Sequence, residues 1–173
     1  MKALNFNRGS KSISAFLIVF ITLATSVSAL VKVDFSGTWA LDQAKSNLGE
    51  RGGRGAAAKL SVVQENAVIN IVRTSNGQNG EVITTEKLTY DGKEAQATGG
   101  REGSVRKSTL TWSEDKNTMT VNSVVTGNFN GTATETKIKE VWTLSADGKT
   151  LTVDSESVRQ QGTTTLKLVY NKQ

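Results

Sequence analysis

Three charged residues occupy positions where the surrounding pattern calls for apolar side chains. Arg106, Glu86 and Glu140 each fall on the apolar phase of a stretch that alternates apolar and polar residues. Such side chains would point into the protein, where a charge needs a partner or water. An arginine placed there could hold an anionic head group, and two acids converging in one cleft could act together in hydrolysis.

Two interpretations of these charges stay open. In the first, Arg106, Glu86 and Glu140 line a partly wet cavity with Trp142 and Tyr90 and bind the polar end of a ligand. In the second, the charges lie near strand ends or bulges and reach solvent, and a one-residue register shift would reverse every face assignment. Because charged residues are seldom fully buried, the sequence favours the second.

The residue types that are missing limit the possible chemistry. The 173 residues contain no His and no Cys. This removes the commonest general base, the commonest zinc ligand and the thiolate nucleophile. We therefore predict that the protein is not an enzyme and uses no metal or cofactor, with a carboxylate-based hydrolase as the remaining catalytic alternative.

The N-terminus carries the features of a secretory signal. Three basic residues precede an apolar stretch over 13–24, and Val27-Ser28-Ala29 supplies the small residues that a signal peptidase accepts. The apolar run is shorter than the roughly 20 residues of a membrane span. We predict a signal peptide over 1–29, a single domain over 30–173, no transmembrane anchor after cleavage, and a periplasmic or secreted location.

Removing residues 1–29 also changes the charge. The segment has three basic and no acidic residues, so the net charge falls from +5 to +2. A nearly neutral surface with interspersed signs is not typical of a nucleic-acid-binding protein. We predict no nucleic-acid partner.

The rest of the chain reads as strands separated by turns. About ten segments alternate apolar and polar residues, near 35–41, 59–64, 67–74, 81–90, 94–97, 103–112, 118–126, 132–145, 150–158 and 163–170. Eleven residues also recur 32 positions apart, at 111–121 and 143–153, each with the pattern of a β-hairpin. Short turns join antiparallel neighbours. We predict an all-β, antiparallel up-and-down meander closed into a barrel of about 8–10 strands, with a β-sandwich as the alternative. The Gly- and Arg-rich segment 49–58 is expected to be a solvent loop.

The first predicted strand carries a family resemblance. Asp34-Phe-Ser-Gly-Thr-Trp-Ala-Leu41 resembles the opening strand of lipocalins and fatty-acid-binding proteins, the calycin barrels, whose signature is Gly-x-Trp. The resemblance implies that Trp39, with Gly37, is a structural plug at the closed end of a barrel. Val169-Tyr-Asn-Lys172 resembles the last strand of fatty-acid-binding proteins, although Leu168 stands where those proteins have an Arg that holds a carboxylate.

The mature chain also resembles a group of exported bacterial proteins with a lipocalin-like fold. These share the Phe-Ser-Gly-Thr-Trp start and a Val-Trp-Thr-Leu-Ser-x-Asp-Gly-Lys-Thr-Leu-Thr segment, here 141–152. The resemblance implies a fold and a compartment and carries over no catalytic residue. The expected function is binding of a small apolar or amphipathic ligand in the barrel. The alternative is a secreted or periplasmic interaction module, such as an inhibitor or an envelope-associated partner, with a filled core.

Overall fold

The computed structural model describes residues 32–50, 52–53, 55–77, 80–129 and 131–173. The predicted signal peptide, 1–29, lies outside these ranges, and the segment 49–58 is described only in part. Within them, no helix is long and apolar enough to cross a membrane.

The described residues contain ten β-strands, and each corresponds to one of the predicted segments. They are β1 Gly37–Leu41, β2 Lys59–Gln64, β3 Val68–Gly77, β4 Gly80–Thr89, β5 Ala95–Thr98, β6 Val105–Trp112, β7 Thr118–Phe129, β8 Thr132–Leu144, β9 Thr150–Arg159 and β10 Gly162–Lys172. The alternation in sequence appears in the structure as alternation of buried and exposed side chains, for example along β3 and β9.

All ten strands belong to one antiparallel sheet that curls into a nearly closed barrel. The order is β4-β3-β2-β1-β10-β9-β8-β7-β6-β5, so that the first strand pairs with both the second and the last. The prediction of an antiparallel barrel is confirmed, and the alternative of two packed sheets is wrong. The expectation that all consecutive strands pair fails at one place. β4 and β5 are joined by a short turn, yet they are the two edges of the sheet.

The 32-residue repeat forms two equivalent hairpin turns at one end of the barrel. In the β6–β7 turn, Ser113 donates to Asp115 at 2.5 Å, and in the β8–β9 turn Ser145 donates to Asp147 at 2.6 Å. Lys116 and Gly148 occupy the same place in the two turns, with φ of 58° and 68°. Both turns require a left-handed residue there, which glycine adopts without strain. The sequence repeat therefore reflects two turns that share the same side-chain hydrogen bond and the same left-handed position.

The barrel interior is packed at the end that carries these turns. The fully buried side chains include those of Phe35, Trp39, Trp142, Leu151 and Tyr170. Phe35 packs edge-on against Trp142 and stacks on Trp112, with ring centroids 6.0 and 5.9 Å apart. We call this the closed end.

The long β1–β2 connection returns along β10 at the opposite end. Asn47 pairs with Lys167 through two backbone hydrogen bonds, and the Ser46 hydroxyl accepts from the Val169 amide at 2.9 Å. Further on, the Tyr170 hydroxyl donates to the Ala57 carbonyl at 3.0 Å. The described part of the segment predicted to be a solvent loop thus includes residues that pack on the barrel.

Candidate ligand-binding site

Four charged side chains meet inside the barrel. Glu86 accepts hydrogen bonds from Arg73 and from Arg106 Nε, the latter at 2.9 Å, and Arg73 Nη2 donates to Glu140 at 2.7 Å. Arg106 Nη2 lies 3.8 Å from Glu140 Oε1. We call these four residues the ion cluster. Of the two interpretations, the sequence favoured the one in which Arg106, Glu86 and Glu140 reach solvent. That interpretation is wrong, because Glu86 is only 2% exposed and the side chains of Arg106 and Glu140 are 12% and 14% exposed.

The ion cluster also closes the barrel where the backbone ladder is missing. Glu86 belongs to β4, one edge of the sheet, and Arg106 belongs to β6, the strand beside the other edge. Ser108, also on β6, donates to Glu86 at 2.6 Å and shares a 2.9 Å hydrogen bond with Ser123 on β7. Side-chain hydrogen bonds therefore connect β4 to β6 across the seam between β4 and β5.

Arg73 was not among the residues predicted to form the site. Its signal was present, because Arg73 follows Ile69 and Ile71 on the buried phase of β3. Arg73 is 8% exposed and contacts both acids of the cluster. Burial opposes its charge, but Glu140 and Glu86 outweigh that effect and raise the pKa of Arg73 above its usual range. It therefore stays a cation.

The inward side chains beyond the ion cluster are only partly buried. They alternate with outward residues on the same strands as the cluster and the fully buried core, but each retains some exposure to solvent. We call this surface the cup, with the ion cluster as its floor; it comprises Ser75, Val82, Thr84, Val125, Ile138, Ser155, Ser157 and Leu166. The cup side chains are thus less completely buried than those of the closed end, although the loops at Gly49 and Gly99–Gly100 approach Leu166, Val125 and Thr84.

The cup has apolar walls, and an unpaired donor of the ion cluster is enclosed beneath them. Val82, Val125, Ile138 and Leu166 supply aliphatic surface, and Arg106 Nη2 is buried without a hydrogen-bond partner. A buried donor with no acceptor is costly, and an acceptor on a bound molecule would relieve that cost. This arrangement is what an amphipathic ligand requires: apolar surface with a single polar anchor.

The other two predicted site residues have different positions. Trp142 joins the ion cluster, because its indole Nε1 donates to Glu140 at 3.3 Å. Tyr90 does not. It follows β4 four residues beyond Glu86, about 13 Å along the chain. It packs edge-on against Trp112, beneath the Lys32 ammonium, which is 3.8 Å from the Tyr90 ring centroid.

Trp39, which the family resemblance implies is a structural plug, lies in the core. Its side chain is fully buried, and Nε1 donates to the Phe35 carbonyl at 2.9 Å. The Lys172 ammonium lies 5.2 Å from the Trp39 ring centroid. Gly37 has φ of 143°, a backbone conformation that other residues rarely adopt, so this position favours glycine. Both residues serve the packing of β1 against β10.

Two surface depressions lie away from the ion cluster. One, of about 290 Å³, is on the outer face of β6–β9, where its lining includes Lys107, Val124, Lys137 and Val158. The other, of about 300 Å³, lies beside Tyr90, Trp112 and Lys32. Neither includes a residue of the ion cluster.

The two acids of the ion cluster converge as a carboxylate-based hydrolase would require, but their environment does not suit that chemistry. A general acid needs a raised pKa. Burial opposes ionisation of Glu86, yet the attraction of Arg73 and Arg106 and the Ser108 hydrogen bond outweigh it and hold the pKa of Glu86 below its usual value. Glu86 is therefore an anion held by cations.

The lowered pKa of Glu86 predicts sensitivity to acid. Its contribution to stability is present above the unfolded-state pKa, about 4.5, and is lost as pH falls through the lower folded-state pKa. We expect the free energy of unfolding, measured with urea at a series of pH values, to fall below about pH 4.5. Exposed turn aspartates such as Asp115 also have lowered pKa values. Glu86→Gln removes the contribution of Glu86 and leaves that of the aspartates, so the free energy of unfolding of this variant should depend less strongly on pH. Equal dependence in both proteins would contradict the assignment.

Comparison with known proteins supports the fold. No known protein-family model matches this chain, and no curated protein matches it in sequence. In three dimensions, the chain is similar to the zebrafish ileal bile acid-binding protein, whose crystal structure is a complex with cholic acid. The TM-score is 0.54 and the sequence identity 18%, over 80% of this chain and 98% of the other. The chain therefore has a calycin-type β-barrel fold.

Proposed function

We propose that this protein binds a small apolar or amphipathic ligand in the cup, without chemical change to the ligand. The main support for this proposal is the contrast between the two ends of the barrel. Side chains fill the closed end, whereas inward apolar side chains at the other end stay partly exposed above a buried, unpaired Arg106 donor. The likeness to a barrel that holds cholic acid supports the same proposal.

Burial of apolar surface would supply most of the affinity. Each Å² of apolar surface removed from water contributes about 25 cal/mol before the entropic costs of association. Val82, Val125, Ile138 and Leu166 offer such surface on four different strands, so that a ligand would be contacted from several sides. The polar anchor at Arg106 would fix its orientation.

A matched pair of variants on β9 tests the location of the site. Ser157 points into the cup, and its neighbour Glu156 is exposed on the outer face. We expect Ser157→Trp to fill the cup and to weaken binding of Nile red, an uncharged hydrophobic dye, at least about tenfold in a fluorescence titration. Glu156→Trp should bind as the parent does.

Circular dichroism and thermal unfolding establish that both variants are folded. Failure of the parent protein to bind Nile red, or equal binding by Ser157→Trp, would overturn the proposal. Loss of binding in both variants would also count against it, because Glu156 does not face the cup.

We also propose that the protein is exported and that cleavage after Ala29 releases the barrel. The support is the sequence pattern of 1–29, with its basic start, apolar centre and small residues. Mass determination of the protein recovered from culture medium or periplasm tests this. A mature chain beginning at Leu30 is expected, and a full-length chain retained in the cytoplasm would contradict it.

The interaction-module alternative has less support in the described residues. It needs an exposed apolar patch on the order of several hundred Å². Among the residues that the structure describes, the large exposed hydrophobic ones are Val63, Ile83 and Val158, on β2, β4 and β9. Those strands are not adjacent in the sheet, and apolar residues scattered singly are usual on protein surfaces.

A further inference from the structure

We infer that the polar end of the ligand is an uncharged hydrogen-bond acceptor, such as a hydroxyl or carbonyl group, and is not a carboxylate. This inference rests on the proposed function and specifies the ligand class of the same site. It follows from the charges of the floor of the cup, taken together with the one donor that the floor leaves unpaired.

The charges of the ion cluster already balance. Two guanidinium groups, of Arg73 and Arg106, face two carboxylates, of Glu86 and Glu140, with three ion pairs at or below 2.9 Å and one at 3.8 Å. A carboxylate ligand would bring a third negative charge into a poorly solvated place. Unbalanced charge at such a site is disfavoured much more strongly than at the surface.

The position of the unpaired Arg106 donor also disfavours an anionic ligand. Among the fully buried donor atoms of the cluster, Arg106 Nη2 has no hydrogen-bond partner, and Glu140 Oε1 lies 3.8 Å from it. An anion that accepts from Nη2 would therefore lie beside the Glu140 carboxylate, and like charges this close repel. A hydroxyl or carbonyl oxygen in the same place satisfies the donor and adds no net charge.

Charges at the rim of the cup do not change the balance at its floor. Arg159 shares the alternation of Ser155 and Ser157, but it lies at the end of β9 and is exposed. Water and salt screen such a charge. Leu168 stands where fatty-acid-binding proteins have an arginine that holds a carboxylate, and it is buried and apolar. The described interior thus provides no uncompensated cation for a carboxylate.

Three ligands with the same tail separate the possibilities. Decanol, decanoate and decylammonium share one apolar chain and differ in the charge of the head group. At about pH 7.5 the two ionic ligands are fully charged. We expect decanol to displace Nile red from the parent protein at a concentration at least about tenfold lower than either charged ligand.

Two variants show whether the ion cluster causes this preference. Glu140→Gln leaves one cation in excess, and we expect the ratio of decanoate to decanol affinity to rise at least about tenfold. Arg106→Gln removes the unpaired donor, so decanol should bind several-fold more weakly than it does to the parent protein. If either variant does not fold, the comparison among the three ligands in the parent protein decides the question alone.

Each outcome has a distinct meaning. Preference for decanoate or decylammonium, equal affinity for all three ligands, or no displacement by any of them would overturn the inference while Nile red binding upholds the proposed function. Failure of the parent protein to bind Nile red would instead remove the proposed function, and this inference with it.

Discussion

Glu86→Gln is expected to lower the free energy of unfolding by about 3–5 kcal/mol, the range found when one partner of a buried ion pair is removed. The substitution keeps the size of the side chain but leaves Arg73 and Arg106 with a single counter-charge. It also presents an amide donor to guanidinium donors. Because Glu86 connects β4 to β6 where no backbone ladder exists, the loss should affect closure of the barrel as well. Urea unfolding monitored by circular dichroism measures the change.

Two further variants separate charge imbalance from simple loss of a contact. Glu81 lies on the same strand and is exposed, so Glu81→Gln should change stability by no more than about 0.5 kcal/mol. The double variant Glu86→Gln/Arg106→Gln leaves Arg73 paired with Glu140 and restores neutrality. It should therefore be more stable than Glu86→Gln alone. A double variant as unstable as the sum of its single changes would show that charge balance is not the cause.

Trp39→Ala is expected to cost about 3–5 kcal/mol, as for other large-to-small changes at a buried aromatic residue. The indole is completely buried, and its Nε1 donates to the Phe35 carbonyl. Its removal leaves a void in the core and an unpaired carbonyl, and it deprives the Lys172 ammonium of the ring near which it lies. Thermal and urea unfolding measure the effect.

Thr38→Ala is the matched control for this change. Thr38 is adjacent on β1 and only partly buried, and its side chain makes none of these core contacts. The alanine variant should lose no more than about 1 kcal/mol. If Trp39→Ala were no less stable than Thr38→Ala, the structural role that the family resemblance implies for Trp39 would be wrong.

Local sequence pattern was sufficient to predict the strands. Period-two alternation and strong turn residues set the strand boundaries, as at Asp115 and Asp147, where side-chain hydrogen bonds fix the turn within a few residues. The same alternation placed Glu86, Arg106 and Glu140 on inward faces. These features depend on near neighbours in the chain, which is why the sequence alone reveals them.

The partners of those charges depend on distant pairings. Arg73 and Glu140 are 67 residues apart and meet only because the barrel curls β3 towards β8. The seam between β4 and β5 was missed for a related reason. The short turn at Asp91-Gly92-Lys93 indicates a hairpin, whereas the curvature of the complete sheet separates the two strands enough to break their ladder. Sequence alternation carries no information about closure.

The position of a bound ligand distinguishes a site inside the barrel from one on its surface. Uniformly ¹⁵N-labelled protein titrated with decanol should show backbone amide shifts concentrated at the cup, at Val82, Thr84, Val125, Ser157 and Leu166. The outer-face residues Lys107, Lys137 and Val158, which line the surface groove, should change little. Shifts confined to that groove, or no shifts at saturating decanol, would contradict a ligand site inside the barrel.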